Sequence, residues 1–281
     1  MLRQGSPRSF HHCAGVFGWP LEHTLSPVIH NAAFRALGLD WSYFAWPVEP
    51  ALIGDAVRGL RALGAAGANV TMPHKEAVIE GLDALEGDAR ATGAVNTIEN
   101  RAGRLIGHNT DVSGFRALLV EDIGLDPSGE RAVVLGAGGA ARAVVKALSD
   151  AGADVAIAAR RAAMAEKLRN VSNVEVIAWD EVVKSASGAA LIVNATPLGM
   201  AGGEAPPDIE FHAKQTVVDL VYDPPVTPLV ERARAAGADA WGGLGMLVHQ
   251  AAASFRIWTG QEAPLDIMSA AALHALNHPR A

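Results

Sequence analysis

Short apolar runs alternate with alanine-rich segments of helical period along most of the chain. The runs that predict strands are, in chain order, CAGVFG, SYFAWPV, GANVTM, AVVLGAG, DVAIAAR, NVEVIA, ALIVNAT and QTVVDLVY. The segments that predict helices are SPVIHNAAFRALG, EAVIEGLDAL, AARAVVKALSDAG, TPLVERARAAGA and LVHQAAASFRIWTG, each with apolar residues on one helical face. Because alternating strands and helices are typical of βαβ units, the pattern predicts an α/β fold with parallel strands.

Two predicted helices start with a hydroxyl residue followed by proline, at Ser26-Pro27 and at Thr227-Pro228. This order is typical of an N-cap followed by the first helical residue. A third predicted helix carries Lys75 at its start, where the positive end of the macrodipole disfavours a cation by about a few tenths of a kcal/mol. We therefore expect either a solvated lysine or one that faces an anionic group.

The composition limits the classes of protein that fit a chain of 281 residues. Half of the residues are hydrophobic and 19% are charged, which argues against disorder and fits one large or two medium domains. The net charge of −7 and the absence of a basic run argue against a nucleic-acid partner. A single cysteine, Cys13, excludes an intrachain disulfide, and without an HExxH motif no metal site is expected.

The N-terminal segment and the apolar runs indicate a protein that is not bound to a membrane. MLRQGSPRSFHHCAGVFGWP has no continuous apolar stretch and no small-residue cleavage pattern, so it is unlike a signal peptide. No segment reaches the roughly 20 uninterrupted apolar residues of a membrane span. We expect a soluble cytoplasmic protein.

A glycine-rich turn lies between a predicted strand and a predicted helix. The turn comprises Gly136, Ala137, Gly138, Gly139 and Ala140, and Ala141 completes a GxGxxA pattern. The first glycine allows a tight turn, the second lets the backbone approach a pyrophosphate, and the small third residue lets helix and strand pack closely. The order of strand, turn and helix predicts a dinucleotide site with the helix N-terminus facing the anion, and an ordinary tight turn is the alternative.

The residues after the following strands indicate which dinucleotide is bound. An NAD site usually offers a carboxylate about 20 residues beyond the glycines, whereas this chain offers Arg160 and Arg161. Two guanidinium groups suit the 2′-phosphate of NADP, although adjacent arginines can also simply solvate a loop. The buried strand in LIVNATPLGM runs into Asn194 and Thr196, and the carboxyl ends of such strands line the ligand crevice. We expect them to bound the cofactor, but a plain strand-to-turn segment explains the same residues.

Several longer strings resemble one known family. GWPLEHTLSPVIHNAAF, GANVTMPHKEAV, TGAVNTI, GHNTDVSGF, GAGGAARA, NATPLGM and GGLGMLVHQAA occur in this order and together resemble the shikimate dehydrogenases. The resemblance implies a substrate domain at 1–112 completed by C-terminal helices at 248–281, a Rossmann-like NADP-binding domain at 113–247, and a cleft between them. The implied reaction is the NADP-dependent, reversible reduction of 3-dehydroshikimate to shikimate, on the route to chorismate and the aromatic amino acids.

The same resemblance implies roles for individual residues. Lys75 and Asp111 are the implied catalytic pair, because an ammonium group stabilises charge on the carbonyl oxygen and delivers a proton, while a carboxylate orients it. The implied substrate-binding residues are Thr24, Ser26, Thr71, Lys75, Asn96, Asp111, Tyr222 and Gln250. Gly243 and Met246 are implied to lie near the nicotinamide. The alternatives are a solvated Lys75, a Tyr222 that packs at a strand end and a Met246 that lies in the core.

The chain departs from the family pattern at three places. Thr24 stands where serine is usual, Val112 where glycine is common, and Ala159-Arg160-Arg161 where Asn-Arg-Thr is frequent. A quinate/shikimate dehydrogenase using NAD and an aminoshikimate dehydrogenase therefore stay open, although the first predicts an acidic residue that is absent after the second strand. A non-catalytic NADP-binding sensor could lose Lys75 or Asp111, yet both are present. The oligomeric state is open, with a homodimer as one option.

Overall fold

The computed structural model describes residues 11–22, 24–200 and 203–278. Its strands are β1 His12–Gly18, β2 Trp41–Pro47, β3 Gly67–Val70, β4 Ala84–Leu85, β5 Thr97–Arg101, β6 Arg104–His108, β7 Arg131–Leu135, β8 Asp154–Ala158, β9 Glu175–Ile177, β10 Leu191–Asn194, β11 Thr216–Asp219 and β12 Asp239–Gly242. Its α-helices are α1 Ser26–Ala36, α2 Ile53–Ala62, α3 Asp88–Thr92, α4 Thr110–Ala117, α5 Gly139–Asp150, α6 Ala162–Glu166, α7 Val182–Ser187, α8 Pro228–Ala235, α9 Leu244–Thr259 and α10 Leu265–Asn277. These elements confirm the predicted α/β class.

The second half of the chain forms a six-stranded parallel sheet in the order β12-β11-β10-β7-β8-β9. Its strands are apolar because both faces are covered, by α5 on one side and by α7 and α8 on the other. The strand order reverses between β7 and β10. In sheets of this doubly wound type, ligands bind outside the carboxyl ends of the strands at that point.

The first half of the chain forms a second six-stranded sheet, in the order β2-β1-β3-β5-β6-β4. β1, β2 and β3 are parallel, but β5 runs antiparallel to both β3 and β6. The prediction of parallel strands is therefore wrong for this part of the sheet. A two-residue turn at Ala102-Gly103 joins β5 to β6, with φ of 53° and 88°, as tight hairpins with the twist of the flanking strands require.

The segment EAVIEGLDAL, which was expected to be a helix, forms only a 3₁₀ turn at Ala77–Gly81 followed by the short strand β4. Pairing with β6 explains this difference, because Asp83 N–H donates to the carbonyl oxygen of Leu105 at 2.9 Å. Lys75 consequently precedes a short turn and does not lie on an α-helix. The expected N-cap at Thr227 is confirmed, since its hydroxyl accepts from Val230 N–H at 3.3 Å.

The expected N-cap at Ser26 is displaced by one residue, because α1 already begins at Ser26 and its N-cap is Leu25. Helices α9 and α10 pack on α1 through a cluster that includes Phe34, Phe255 and Met268. The expected boundary at 112/113 falls inside α4, and the division into two domains at that point stays a prediction. None of the helices in the described ranges is long and apolar enough to cross a membrane.

Candidate active site

A cavity of about 700 Å³ lies between the carboxyl ends of strands from both sheets. Its walls include Thr71, Lys75 and Glu76 from the first half of the chain and the glycine-rich turn from the second. Several of the expected substrate and cofactor residues therefore line one space. A smaller cavity of about 390 Å³ lies at the opposite ends of β1 and β2, beside His12 and Trp41, away from these residues.

The glycine-rich turn runs from the end of β7 into α5, as expected. Gly136 has φ of +112°, and a Cβ there would lie 2.8 Å from the carbonyl oxygen of Ala195 after β10. Glycine is needed for both reasons. Gly138 is the N-cap of α5 and offers no side chain, so the first N–H groups of the helix are left to bind an anion from the cavity.

Arg160 and Arg161 lie just after β8, and both line the cavity with exposed side chains. The Arg160 guanidinium forms an ion pair with Glu204, with Nη1 2.5 Å from Oε2. Trp179 and Met164 also line this wall and were not expected from the sequence. Trp179 follows β9, and its place after a strand end was the available signal, because the carboxyl ends of such strands line the ligand crevice.

Lys75 lines the cavity and forms an ion pair with Asp111, which is not on the cavity wall, with Nζ 2.5 Å from Oδ2. The two side chains are 17% and 7% exposed, so the pair is sheltered from water. The Lys75 backbone is held by Val95, whose N–H donates to the Lys75 carbonyl oxygen at 2.8 Å. Asp111 lies in the first turn of α4, and the Asn109 side chain caps that helix by accepting from Asp111 N–H at 3.1 Å.

Asn96 fixes the second oxygen of the Asp111 carboxylate. Its Nδ2 donates to Asp111 Oδ1 at 2.8 Å and to Gln250 Oε1 at 3.3 Å. Its Oδ1 accepts from Thr110 N–H at 2.7 Å, which fixes the orientation of the amide. Because both carboxylate oxygens are occupied and their partners are themselves held, the ion pair is pre-organised.

A further layer of buried polar side chains, which the sequence analysis missed, lies beneath this network. Asn69 Nδ2 donates to Thr97 Oγ1 and to Ser254 Oγ, both at 3.0 Å, and Tyr43 Oη donates to Asn69 Oδ1 at 2.6 Å. Burial raises the pKa of Tyr43 well above its usual value, so the phenol remains a proton donor. An asparagine within the apolar strand β3 was the available signal, since buried amides need partners.

The remaining expected substrate residues differ in position. Thr71 and Tyr222 line the cavity, and burial together with the charge of Asp223 raises the pKa of Tyr222. Thr24 and Ser26 lie at the start of α1, where Ser26 N–H approaches Thr24 Oγ1 at 3.4 Å, and neither belongs to the cavity wall.

Asn194, Gly243 and Met246 are also not on the cavity wall. Asn194 is fully buried behind it, where its Oδ1 accepts from Thr196 Oγ1 at 2.6 Å, and only Thr196 reaches the cavity. A Cβ on Gly243 would lie 2.1 Å from the carbonyl oxygen of Leu220, so this glycine permits a close backbone approach. Met246 is 7% exposed and packs in the core, and its contact with a nicotinamide stays a prediction.

Three family models match consecutive parts of the chain. The shikimate dehydrogenase substrate binding domain matches residues 16–98, and the shikimate / quinate 5-dehydrogenase model matches residues 119–199. The shikimate 5′-dehydrogenase C-terminal domain matches residues 243–273. The matched segments fall on the first sheet, the second sheet and the C-terminal helices, respectively.

Curated and solved relatives extend over nearly the whole chain. The shikimate dehydrogenase (NADP(+)) of Methanopyrus kandleri is 46% identical over 275 residues, which is 93% of this chain and 95% of the relative. A crystal structure of a shikimate dehydrogenase in complex with NADP+ superposes with a TM-score of 0.89 at 37% identity, covering 94% of this chain and 96% of that one. Quinate dehydrogenase from Corynebacterium glutamicum in complex with NAD gives a TM-score of 0.87 at 30% identity, covering 94% and 99% of the two chains.

Proposed function

This chain belongs to the shikimate dehydrogenase family, and we propose that it catalyses the NADP-dependent, reversible reduction of 3-dehydroshikimate to shikimate. The observation that carries the proposal is the sheltered Lys75–Asp111 ion pair, whose lysine lines the same cavity as the glycine-rich turn and the N-terminus of α5. The reaction belongs to the route to chorismate and the aromatic amino acids. The cytoplasmic location follows from that role as part of the proposal.

In the direction of reduction, Lys75 stabilises and protonates the oxygen of the reacting carbonyl. Negative charge develops on that oxygen as the carbon accepts a hydride, and a pre-organised ammonium in a sheltered site stabilises this charge. Lys75 Nζ then donates its proton to the oxygen and is left neutral until it takes up another. In the oxidation direction, neutral Lys75 accepts the hydroxyl proton, and Asp111 stabilises the resulting ammonium.

The hydrogen-bond network around Asp111 supports a binding site for the ring of the substrate beside it. Shikimate carries a carboxylate and three hydroxyls, so its site needs several amide and hydroxyl partners. Asn96 and Gln250 lie beside Asp111 and offer such groups to the hydroxyls. Thr24 and Ser26, at the start of α1, are assigned to the carboxylate, because hydroxyls and the N–H groups of a helix N-terminus bind anions.

The residues at the other end of the cavity fit NADP. The turn at Gly136–Ala140 offers backbone N–H groups to a pyrophosphate, and Thr196 lies on the facing strand end. Arg160 and Arg161 lie where the adenosine ribose is bound in doubly wound folds, and their positive charge suits a 2′-phosphate. When it is bound, the nicotinamide supplies or accepts the hydride.

A quinate dehydrogenase using NAD is the second candidate, favoured by the likeness to the quinate enzyme. The residues after β8 argue against NAD as the cofactor, because Ala159-Arg160-Arg161 supplies no carboxylate for a ribose 2′-hydroxyl. None of the site residues named above favours an aminoshikimate dehydrogenase.

The test is a steady-state absorbance assay of purified protein with shikimate or quinate, each paired with NADP or NAD. We expect turnover with shikimate and NADP and a much lower kcat/KM for the other three pairs. Faster turnover of quinate with NAD would support the second candidate instead. Binding of NADPH without turnover of shikimate or quinate would identify a sensor, and sedimentation of the same sample would determine its oligomeric state.

A further inference from the structure

Arg142 is a buried cation that joins α5, the helix after the glycine-rich turn, to the first half of the chain. It is 8% exposed. Its Nη1 donates to the carbonyl oxygen of Thr92 at 3.1 Å, and its Nη2 donates to Glu76 Oε2 at 3.3 Å. A buried guanidinium is costly unless it is paired, so these two contacts link α5 to the first half of the chain.

Both partners of Arg142 belong to segments that hold the catalytic pair. Glu76 follows Lys75 directly in the chain. Thr92 is linked to Asp111 through Asn109, which donates from Nδ2 to Thr92 Oγ1 at 3.0 Å and caps the helix on which Asp111 lies. The Arg142 guanidinium therefore contacts both the residue that follows Lys75 and the residue that holds the cap of the Asp111 helix.

The cleft is narrow where Lys75 passes the glycine-rich turn. A Cβ on Gly139 would lie 2.8 Å from Lys75 Cδ, so the lysine side chain rests directly against the first residue of α5. Arg142 is on the same helix, close to that contact. Any movement of α5 away from Glu76 and Thr92 would therefore change the distance between Lys75 and the turn.

On the function proposed above, we infer that Arg142 is a positioning residue that sets the distance between the Lys75–Asp111 pair and the glycine-rich turn. The substrate is held by the pair and the dinucleotide by the turn, so this distance also sets the approach of the hydride donor to the carbonyl carbon. Reacting atoms must lie about 3–3.5 Å apart, and a displacement of about 1 Å costs roughly 10²-fold in rate. Removal of Arg142 therefore lowers kcat more than it weakens the binding of either ligand.

The test compares Arg142→Met and Arg142→Lys with the parent protein. Steady-state kinetics with shikimate and NADP are combined with the primary isotope effect of shikimate deuterated at the carbon that loses the hydride. We expect Arg142→Met to lower kcat by at least ~10-fold, to leave both KM values within about threefold, and to raise the isotope effect as hydride transfer becomes rate-limiting. Arg142→Lys should recover part of the rate.

The matched control is Lys146→Met, which removes a cation from the same helix. Lys146 Nζ pairs with Asp150 Oδ1 at 2.5 Å within α5 and does not line the cavity, so kinetics like those of the parent protein are expected. A folded Arg142→Met variant with unchanged kcat and isotope effect, even with a lower melting temperature, would overturn the inference.

If Arg142→Met does not fold, Glu76→Gln provides the same test at a half-exposed position. The neutral amide weakens the contact, and we expect a several-fold lower kcat with a raised isotope effect, whereas unchanged values would overturn the inference. Failure of the proposed function is distinguishable from either result, because the parent protein itself would then fail to turn over shikimate with NADP.

Discussion

The two ends of the cavity are built in opposite ways. At the proposed substrate end, which is the region of Lys75, buried side chains hold one another, so that Lys75, Asp111 and Asn96 form a connected network. At the proposed cofactor end, the backbone of the glycine-rich turn faces the cavity, and the charged groups, Arg160 and Arg161, are exposed. A buried network is strongly affected by the loss of any member, whereas an exposed charge in water acts weakly and independently. The comparison predicts large effects on kcat at the first end and smaller effects on cofactor selectivity at the second.

The largest effect is expected for Lys75→Met. Methionine keeps much of the apolar stem that lies against Gly139 but removes the ammonium group, so the packing is retained while the proton donor is lost. We expect kcat to fall by about 10²- to 10⁴-fold, the range for general acid–base catalysis, with KM for shikimate within several-fold. Steady-state kinetics of the purified variant measure both.

The control for this prediction is Lys184→Met, at an exposed position on α7 that does not line the cavity. It should leave kcat unchanged. A decrease in kcat of less than about tenfold for Lys75→Met would exclude Lys75 as the proton donor. The two ends of the cavity would then not differ in their effect on kcat.

A second prediction concerns the pH dependence of the free energy of unfolding, which depends on His30 beneath the Lys75–Asp111 network. His30 is fully buried and stacks on Tyr43 with ring centroids 4.3 Å apart. Burial lowers its pKa from 6.5 to about 3. Between these values the unfolded chain binds a proton that the folded chain does not, so the free energy of unfolding decreases as the pH falls below 6.5. At pH 5 the loss is about 2 kcal/mol, because each pH unit contributes about 1.4 kcal/mol.

Urea denaturation of the parent protein and of His30→Phe at pH 7 and pH 5 measures this effect. The variant cannot take up the proton, so its stability should decrease less than that of the parent by about 2 kcal/mol. His212→Gln, which changes an exposed histidine, is the matched control and should follow the parent. Parallel pH dependence in all three proteins would show that His30 is not buried in its neutral form.

The same contrast explains which parts of the molecule the sequence could predict. The cofactor end depends on local order, because β7, the turn at Gly136 and α5 are consecutive in the chain, and a strand–turn–helix pattern identifies them. Lys75 and Asp111 were assigned through the resemblance to a family. The contacts that orient them join residues far apart in the chain, as when Asn96 donates to Gln250.

The errors at the level of the fold have the same physical cause. EAVIEGLDAL has helical periodicity, but β4 is needed to pair with β6, and tertiary pairing overrode the local preference. The β5–β6 hairpin has no clear sequence signal, because its turn, Ala102-Gly103, carries a positive φ at an alanine, which residue patterns do not favour. The role of Arg142 has no local signal in the sequence, since its partners, Glu76 and Thr92, lie in the other half of the chain.

The smallest effect is expected at the cofactor end, for the double variant Arg160→Ala with Arg161→Ala. Both side chains are exposed, and an exposed charge-assisted contact to a phosphate contributes about 1 kcal/mol or less. Two such contacts correspond to about a 10- to 30-fold weaker binding of NADP, while binding of NAD, which lacks the phosphate, changes by less than about threefold. Titration with each cofactor, followed by the change in tryptophan fluorescence to which Trp179 on the cavity wall contributes, measures the two Kd values.

Glu204→Gln is the matched control for the arginine pair, because it releases Arg160 from its ion pair without removing the guanidinium group. Since the partner carboxylate competes with a 2′-phosphate for Arg160, this variant should bind NADP slightly more tightly, by no more than about fivefold. Equal losses for NADP and NAD in the double arginine variant would show that the arginines do not contact the phosphate. A loss of NADP binding of about 10³-fold or more would instead show that the complex buries them, so that the cofactor end becomes as tightly held as the substrate end once it is occupied.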